Sequence, residues 1–193
     1  MRHGIRSALA VCGVATAVFL YVAIEAMQRG VADATRQSAA YTTLVVYRAD
    51  RFCPFTSHLP EYYRDKIGSI EGVESVIPMK VVVSNCRASL DVVTFRGIPR
   101  ELGIAGAAPN AEIVAGSAEG WTRRSDAAML GETLAKRRGL RPGDQFQSSG
   151  VTAFVAGILR SDEPQDKNVA YVHLDFLQQA ADGKLGTVTQ FAV

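Results

Sequence analysis

The sequence predicts an α+β fold, in which one N-terminal transmembrane helix is followed by a mixed α+β extracytoplasmic domain. Three observations lead to this fold class. The segment from Ser7 to Ile24 contains no charged residue. As a helix it would be about 27 Å long, close to the ~30 Å hydrocarbon core of a bilayer. The rest of the chain alternates β-branched runs with helical patterns, and adjacent β-rich runs are separated by short turns, as in hairpins.

The N-terminal segment is best explained as a membrane anchor. Arg2 and Arg6 precede it, and basic flanks favour the cytoplasmic side. We therefore expect residues 1–28 to form a cytoplasmic N-terminus and transmembrane helix, residues 29–40 a stalk, and residues 41–193 the extracytoplasmic domain. A cleaved signal peptide is the main alternative, but its apolar core is usually ~7–15 residues long and ends at a small-residue cleavage site. A lipoprotein anchor at Cys12 would need an apolar core upstream, and the sequence has none.

The elements of the domain follow from residue patterns in chain order. Runs rich in valine, isoleucine, threonine and aromatic residues indicate strands, and apolar residues spaced three or four apart indicate helices. Pro78 suggests that its strand is interrupted or lies at an edge there, and Gly183 is a plausible helix C-cap. We expect strands over 41–47, 73–83, 90–98, 111–117, 144–149, 151–160, 169–174 and 187–193, helices over 59–70, 131–140 and 175–183, and an irregular connection over 100–110.

Net charge argues against nucleic-acid binding. Arg2 and Arg6 account for the whole formal charge of +2, so the predicted exported part is neutral. Nucleic-acid-binding domains need an excess of basic charge.

The short basic helix over 131–140 could still be interpreted as a phosphate-binding or nucleic-acid-binding element. A scaffold role explains it better, since basic residues in the last turn of a helix complement its dipole. Gly139 suits a left-handed C-cap, and Pro142-Gly143 suits the centre of a type II turn. The basic residues concerned are Lys136, Arg137, Arg138 and Arg141.

Two cysteines in the predicted exported part form a candidate disulfide. Cys53 lies in a predicted loop and Cys86 in a predicted hairpin turn, and paired cysteines outside the cytoplasm are typically oxidised. Closing a loop of this length stabilises a fold by roughly 3–4 kcal/mol in the chain-entropy model. Free thiols are the alternative. A metal site would need two further ligands, and only His58 is near in sequence.

The sequence predicts no catalytic residue, no cofactor-binding residue and no metal site, so we expect the protein not to be an enzyme. It has neither a G-x-S-x-G nor an H-E-x-x-H motif, and no Walker loop that would hold ATP. Three acidic residues surround Pro164, and a solvated loop is the preferred interpretation over weak Ca²⁺ binding. These residues are Asp162, Glu163 and Asp166. An anchored enzyme would have His58 and His173 as its best candidate residues.

Three residues are the candidate partner contacts. Arg100 and Leu102 lie in the predicted connection over 100–110. Trp121 lies between Gly120 and Thr122, and it is either an exposed contact residue or a core residue.

The order of several short motifs resembles one family. The motifs are Gly131, Leu134-Ala135, Gly139-Leu140, Gly143-Asp144, Gly150, Phe154 to Ile158, and the run from Ile67 to Pro78. The run from Ile67 to Pro78 comes first in the chain, and the other motifs follow in the order given. Together with an N-terminal membrane helix before them, they resemble the periplasmic core of MacB-type ABC transporter permeases, the FtsX and LolC/LolE relatives.

The resemblance implies a permease that works with a separate ATPase. It implies an ABC ATPase subunit as partner, a periplasmic adaptor protein, contact with membrane lipid, assembly as a homo- or heterodimer of permeases, and a place in the inner (cytoplasmic) membrane. Relatives continue into three further membrane helices, whereas this sequence stops at Val193, so we expect it to be the N-terminal part of such a permease. A membrane-anchored periplasmic adaptor or interaction module is the alternative, although no sustained heptads typical of adaptors are present.

Overall fold

The structure, a computed structural model, describes residues 2–39, 43–50, 56–84 and 92–193. They divide into two units, Met1–Thr43 and Leu44–Val193. The described part of the first unit that precedes residue 40 is one α-helix, α1 (Arg2–Ala39), which covers residues 2–28 of the predicted membrane segment and residues 29–39 of the predicted stalk without a break. By length and composition it can cross a membrane, with Leu9–Asp33 as the candidate span at a mean hydropathy of 2.1.

The second unit contains strands and short helices in alternation. The described strands are β1 (Val45–Val46), β2 (Leu59–Pro60), β3 (Ile77–Val83), β4 (Thr94–Ile98), β5 (Glu112–Gly116), β6 (Ala127–Gly131), β7 (Gln145–Ser148), β8 (Val151–Arg160), β9 (Val169–His173), β10 (Thr187–Val188) and β11 (Gln190–Ala192). The described helices are α2 (Tyr63–Gly68), α3 (Gly103–Ala107), α4 (Ala118–Arg123), α5 (Glu132–Arg138), α6 (Pro164–Lys167) and α7 (Leu174–Asp182), with a 3₁₀ helix over Arg100–Leu102. The predicted α+β fold class is therefore confirmed.

Most described strands join one mixed sheet in the order β1-β11-β3-β4-β9-β6-β8-β5, and β7 adds to β8. The pairs β4–β9 and β6–β8 are parallel, and the other neighbours are antiparallel. β2 and β10 form a separate two-stranded sheet.

Side chains alternate between the two faces of the main sheet, so each face has its own core. Ala170 and Val172 of β9 contribute to the core that includes α5 and α7. Val169 and Tyr171, from the same strand, contribute to the opposite core, together with Ile104 of α3 and Trp121 of α4. We call these the α5/α7 face and the α4 face.

Several predicted elements are confirmed. β3 and β4 pair as a hairpin, and so do β7 and β8. Ser149 and Gly150 connect the second hairpin with φ angles of 51° and 80°, as a two-residue type I′ turn requires. Gly139 and Gly183 end α5 and α7 in the left-handed conformation.

Other predicted boundaries were wrong. The helix expected over 59–70 begins only at Tyr63, because Leu59 and Pro60 pair with β10. The last strand divides at Thr189, whose backbone N–H and hydroxyl both donate to the Met79 carbonyl at 3.0 Å. The strand expected over 73–83 begins at residue 77. The strand expected over 90–98 begins at residue 94 within the described residues 92–98, and that expected over 41–47 covers Val45–Val46; residues 90–91 and 41–42 lie outside the described part.

Candidate functional site

The predicted disulfide concerns residues outside the described part of the chain. Cys53 and Cys86 fall in the ranges 51–55 and 85–91, which the structure does not describe. Their pairing stays a prediction.

Trp121 is a core residue and offers no contact surface, which corrects its assignment as a candidate partner contact. Only 1% of it is exposed. The Ser117 side chain caps α4 by accepting from the Gly120 N–H at 3.0 Å, and this cap begins the turn that carries Trp121 inward. The indole Nε1 donates to the Tyr171 carbonyl at 3.2 Å. The indole therefore ties α4 to the centre of the sheet.

His173 ends β9 against the same indole. The ring centroids of His173 and Trp121 are 3.8 Å apart, and Nε2 lies 2.9 Å from the Trp121 carbonyl oxygen. Burial lowers the pKa of His173, which favours the neutral ring with Nε2–H donating to that carbonyl. Among the described residues, no group of three or more His, Cys, Asp or Glu side chains could hold a metal ion. The contacts between His173 and Trp121 pack α4 against the end of β9.

A buried polar cluster lies beside these rings on the α4 face, and the sequence analysis missed it. Asp166 was expected in a solvated loop, but it belongs to α6 and is only 5% exposed. Its carboxylate accepts from the Tyr171 hydroxyl at 2.6 Å and from the Ser161 hydroxyl at 3.0 Å. Arg96 Nη1 lies 3.7 Å from the carboxylate and donates to the Tyr171 hydroxyl oxygen at 2.9 Å. We call these four residues the Arg96–Asp166 cluster.

The Arg96–Asp166 cluster joins three parts of the fold. Arg96 and Tyr171 are register partners on the parallel strands β4 and β9, and Asp166 and Ser161 come from the connection between β8 and β9. Burial raises the pKa of Tyr171, so the phenol stays protonated and donates. Strand alternation could have indicated Arg96, since it shares a face with Ile98, but nothing local in the sequence marks Asp166 as buried.

The basic helix α5 has the scaffold role that the sequence predicted. Lys136 pairs with Glu132 at 2.8 Å, and Arg137 donates to the Val92 carbonyl at 3.0 Å. Arg138 donates to the Gln147 carbonyl at 3.4 Å. Glu132 also accepts from Arg160, and these cations lower its pKa to about 2. The cationic side chains of α5 therefore all make hydrogen bonds or ion pairs within the fold.

The turn after α5 is also built as predicted. Asp144 N donates to the Arg141 carbonyl at 3.1 Å, and Arg141 N donates to the Asp144 carboxylate at 2.7 Å. Gly143 has a φ of 101°, which suits the third position of a type II turn.

The two remaining candidate contacts lie in different settings. Arg100 is exposed, and its Nη1 donates to the Thr122 carbonyl at 3.0 Å. Leu102 is half-buried and lines a groove of about 790 Å³. The groove runs between α2 and α3 and is floored by residues 73–77, just before and at the start of β3. Leu102 is therefore the candidate contact that the structure associates with a concave surface.

The two ends of the second unit lie side by side. Leu44 N donates to the Val193 carbonyl at 2.7 Å, and Val193 N donates to the Leu44 carbonyl at 2.9 Å. This exchange continues the β1–β11 ladder, and β11 in turn pairs with β3. The point where the chain enters the unit and its last residue are thus fixed to each other and to the sheet.

Comparisons with known proteins give one family and a shared fold. A family model described as the MacB-like periplasmic core domain matches residues 7–193. The extracellular domain of the noncanonic ABC-type transporter YknZ from Gram-positive bacteria has a TM-score of 0.54 at 16% identity, covering 79% of this chain and 82% of that chain. The periplasmic region of MacB from Actinobacillus actinomycetemcomitans has a TM-score of 0.54 at 12% identity, covering 78% and 73%. No curated protein matches the chain. At these identities the structural likeness establishes the fold alone.

Proposed function

Because this chain belongs to the family of MacB-like periplasmic core domains, we propose that it is the N-terminal part of a permease in an ABC-type export or mechanotransmission complex. The family match makes it a component of a membrane transporter of the ABC permease type. The given sequence has one candidate membrane-spanning helix, and a domain of the extracellular type follows it. In our proposal a separate ATPase hydrolyses ATP, and the resulting movement reaches the domain of residues 44–193.

The paired ends of the second unit are the observation that best supports this role. Leu44 and Val193 exchange two backbone hydrogen bonds, at 2.7 and 2.9 Å. A displacement of the segment before Leu44 would act on β1 and β11 together, and β11 is paired with β3 in the main sheet. Because packed cores transmit strain, the sheet would follow such a displacement as one body.

The remaining partners follow from the same proposal. The sequence has no Walker loop, so ATP would bind to a separate ABC ATPase subunit. The apolar side chains of α1, such as Val14, Phe19 and Val22, are exposed, and membrane lipid or further membrane helices would cover them. We propose the inner membrane, with Arg2 and Arg6 on the cytoplasmic side, a dimeric permease, and a periplasmic adaptor as a further partner. In this proposal no residue of the chain has a catalytic role.

The test is purification of the native protein in mild detergent, followed by measurement of its mass and identification of the chains that accompany it. We expect a nucleotide-binding subunit to co-purify, and a polypeptide heavier than the 20.7 kDa of this sequence. The matched control is the segment of residues 44–193 expressed alone, which should not retain the ATPase because it lacks α1. A 20.7 kDa product without an ATPase would refute the permease and favour the alternative, a membrane-anchored adaptor or interaction module.

A further inference from the structure

The first residues of β3 have a neighbouring strand on one side only. β11 pairs with Ile77, Pro78 and Met79, whereas β4 pairs with the later residues, from Lys80 to Val83. The strand therefore changes neighbours along its length. Among the described residues, no strand continues β4 beside Ile77 and Pro78, so this side of β3 is open there.

The chain itself explains why β4 stops there. β4 ends at Ile98, and Pro99 follows, which has no backbone N–H to donate to a ladder. Leu102 N donates to the Pro99 carbonyl at 3.2 Å, which turns the backbone into the 3₁₀ helix over Arg100–Leu102. The backbone thus leaves the sheet at the point where it would have paired with Pro78.

Unpaired backbone groups line this open position. The Met79 carbonyl accepts from Thr189 N, on the β11 side. Successive residues of a strand direct their hydrogen-bonding groups to opposite sides, so the Pro78 carbonyl points to the open side. Val76 comes directly before β3, and an extension of the strand by one residue would turn both of its backbone groups to the same side. The backbone of residues 74–76 makes no hydrogen bond with any other residue in the described part of the chain. Val76 and Pro78 are two residues apart, which is the interval between the residues that pair with a neighbour on one side of a strand.

The groove of about 790 Å³ reaches this open side, because residues 73–77 line it up to the start of β3. Its two walls are α2 and the segment around Leu102, whose side chain lies over Gly106. Asp65, Glu74 and Arg64 line it, and their side chains make no hydrogen bond or ion pair within the described residues. Two carboxylates against one guanidinium leave the lining acidic.

We propose that this groove binds an extended, basic peptide segment of a partner protein, which adds as a strand to the open side of β3. The backbone of the segment would pair with Val76 and Pro78, an apolar side chain would contact Leu102, and a lysine or arginine would face Asp65 and Glu74. Main-chain hydrogen bonds supply the affinity in strand addition, and side chains supply the specificity. This inference goes beyond the proposed function, because it needs only the domain and not the transport role.

The first test uses the full chain in detergent and a blocked octapeptide that alternates valine with threonine and lysine. Amide hydrogen exchange is measured by NMR with and without the peptide. We expect exchange of the Val76 amide to slow at least about tenfold on saturation, since pairing removes that N–H from water. A peptide N-methylated at alternate backbone amides should give no protection. Equal protection by both peptides, or none at Val76, would overturn strand addition.

The second test asks whether the acidic residues of the groove attract the peptide specifically, or whether any change in the charge of the protein has the same effect on binding. Glu74→Lys should weaken binding of the lysine-containing octapeptide roughly 3- to 10-fold, as expected for loss of an attraction and gain of a repulsion at a partly solvated site. Glu71→Lys makes the same charge change at an exposed residue outside the groove and is the matched control. Equal effects of the two variants would exclude a specific acidic site. If the Val76 amide is protected without peptide and the measured mass is twice that of one chain, a second copy of the chain occupies the groove. That result would overturn the proposal of a partner peptide.

Discussion

On its α5/α7 face the sheet packs apolar side chains such as Phe95, Leu130 and Leu177, with the Lys80–Asp182 ion pair at its edge. On its α4 face the same sheet also buries Asp166, together with the phenol of Tyr171. Both faces are closed to water. The two faces differ in the interactions that hold their side chains in place. Apolar packing depends on the volume of the side chain, whereas a buried hydrogen bond depends on both the donor and the acceptor being present.

The two faces should therefore differ in the amino-acid substitutions that they tolerate. A core residue without polar atoms can be replaced by another of similar volume at small cost. A buried carboxylate cannot be removed without leaving its donors unsatisfied. Trp121 is the only tryptophan of the chain and is buried on the α4 face, so its fluorescence reports unfolding in the variants that follow.

The largest effect is expected on the α4 face. Asp166→Ala should lower the free energy of unfolding by about 3–5 kcal/mol, because Arg96 and the Tyr171 hydroxyl lose their buried acceptor. Denaturant unfolding of the full chain in detergent, followed by Trp121 fluorescence, measures this change. Asp162→Ala removes an exposed carboxylate nearby and should stay within about 0.5 kcal/mol. If the two variants unfold alike, the Arg96–Asp166 cluster does not stabilise the fold.

On the α5/α7 face, volume should decide the outcome. Leu177→Ala should cost about 2–5 kcal/mol, since Leu177 is fully buried and its truncation leaves a cavity. Leu177→Met should cost less than about 1.5 kcal/mol. Denaturation midpoints of the two variants test the comparison, and a methionine variant as unstable as the alanine variant would contradict it.

A double-mutant cycle sharpens the contrast. Asp166→Asn and Tyr171→Phe each disturb the 2.6 Å bond between the two side chains, so their effects should fall short of additivity by about 1–2 kcal/mol. Asp166→Asn combined with Leu177→Met, on opposite faces, should be additive within about 0.5 kcal/mol. Additivity in both cycles would show that the hydroxyl and the carboxylate act independently.

The α4 face should also respond to pH through His173. Burial lowers the pKa of His173 below its ordinary value of about 6.5. The unfolded chain therefore binds more protons in the window below about pH 6.5, and stability should fall as the pH decreases through it. His173→Gln should flatten the stability profile between about pH 7 and 5. A profile that keeps its slope in this variant would assign the effect to other groups.

The smallest effect is expected at Glu132, which is partly exposed. Arg160 and Lys136 lower its pKa to about 2, so its contribution is present above about pH 4.5 and is lost as the pH falls towards 2. Glu132→Gln should leave the unfolding midpoint at pH 7 almost unchanged, because exposed ion pairs are screened by water. Denaturation at pH 7 and pH 3 checks both statements. A large destabilisation at pH 7 would mean that this pair is not effectively exposed.

Local features of the site and fold were predictable where they depend on a few neighbouring residues. Gly139, Gly183 and the Ser149-Gly150 turn follow from the backbone angles that those positions need. The scaffold role of the basic residues in α5 follows from their place in its last turn. Trp121 was left open between surface and core, because one aromatic residue in a short helix has no periodicity that assigns it to either.

The membrane-length apolar helix, the α+β class, the two hairpins and the family follow from the amino-acid sequence, because hydrophobic periodicity, turn residues and motif order can be recognised without the fold. Three features depend on the folded chain: Leu59 pairs with Val188, Asp166 is buried against Arg96 and Tyr171, and no described strand pairs with the start of β3 near Leu102. These features arise from contacts between residues far apart in the chain, where strand order and packing decide which polar group finds a partner.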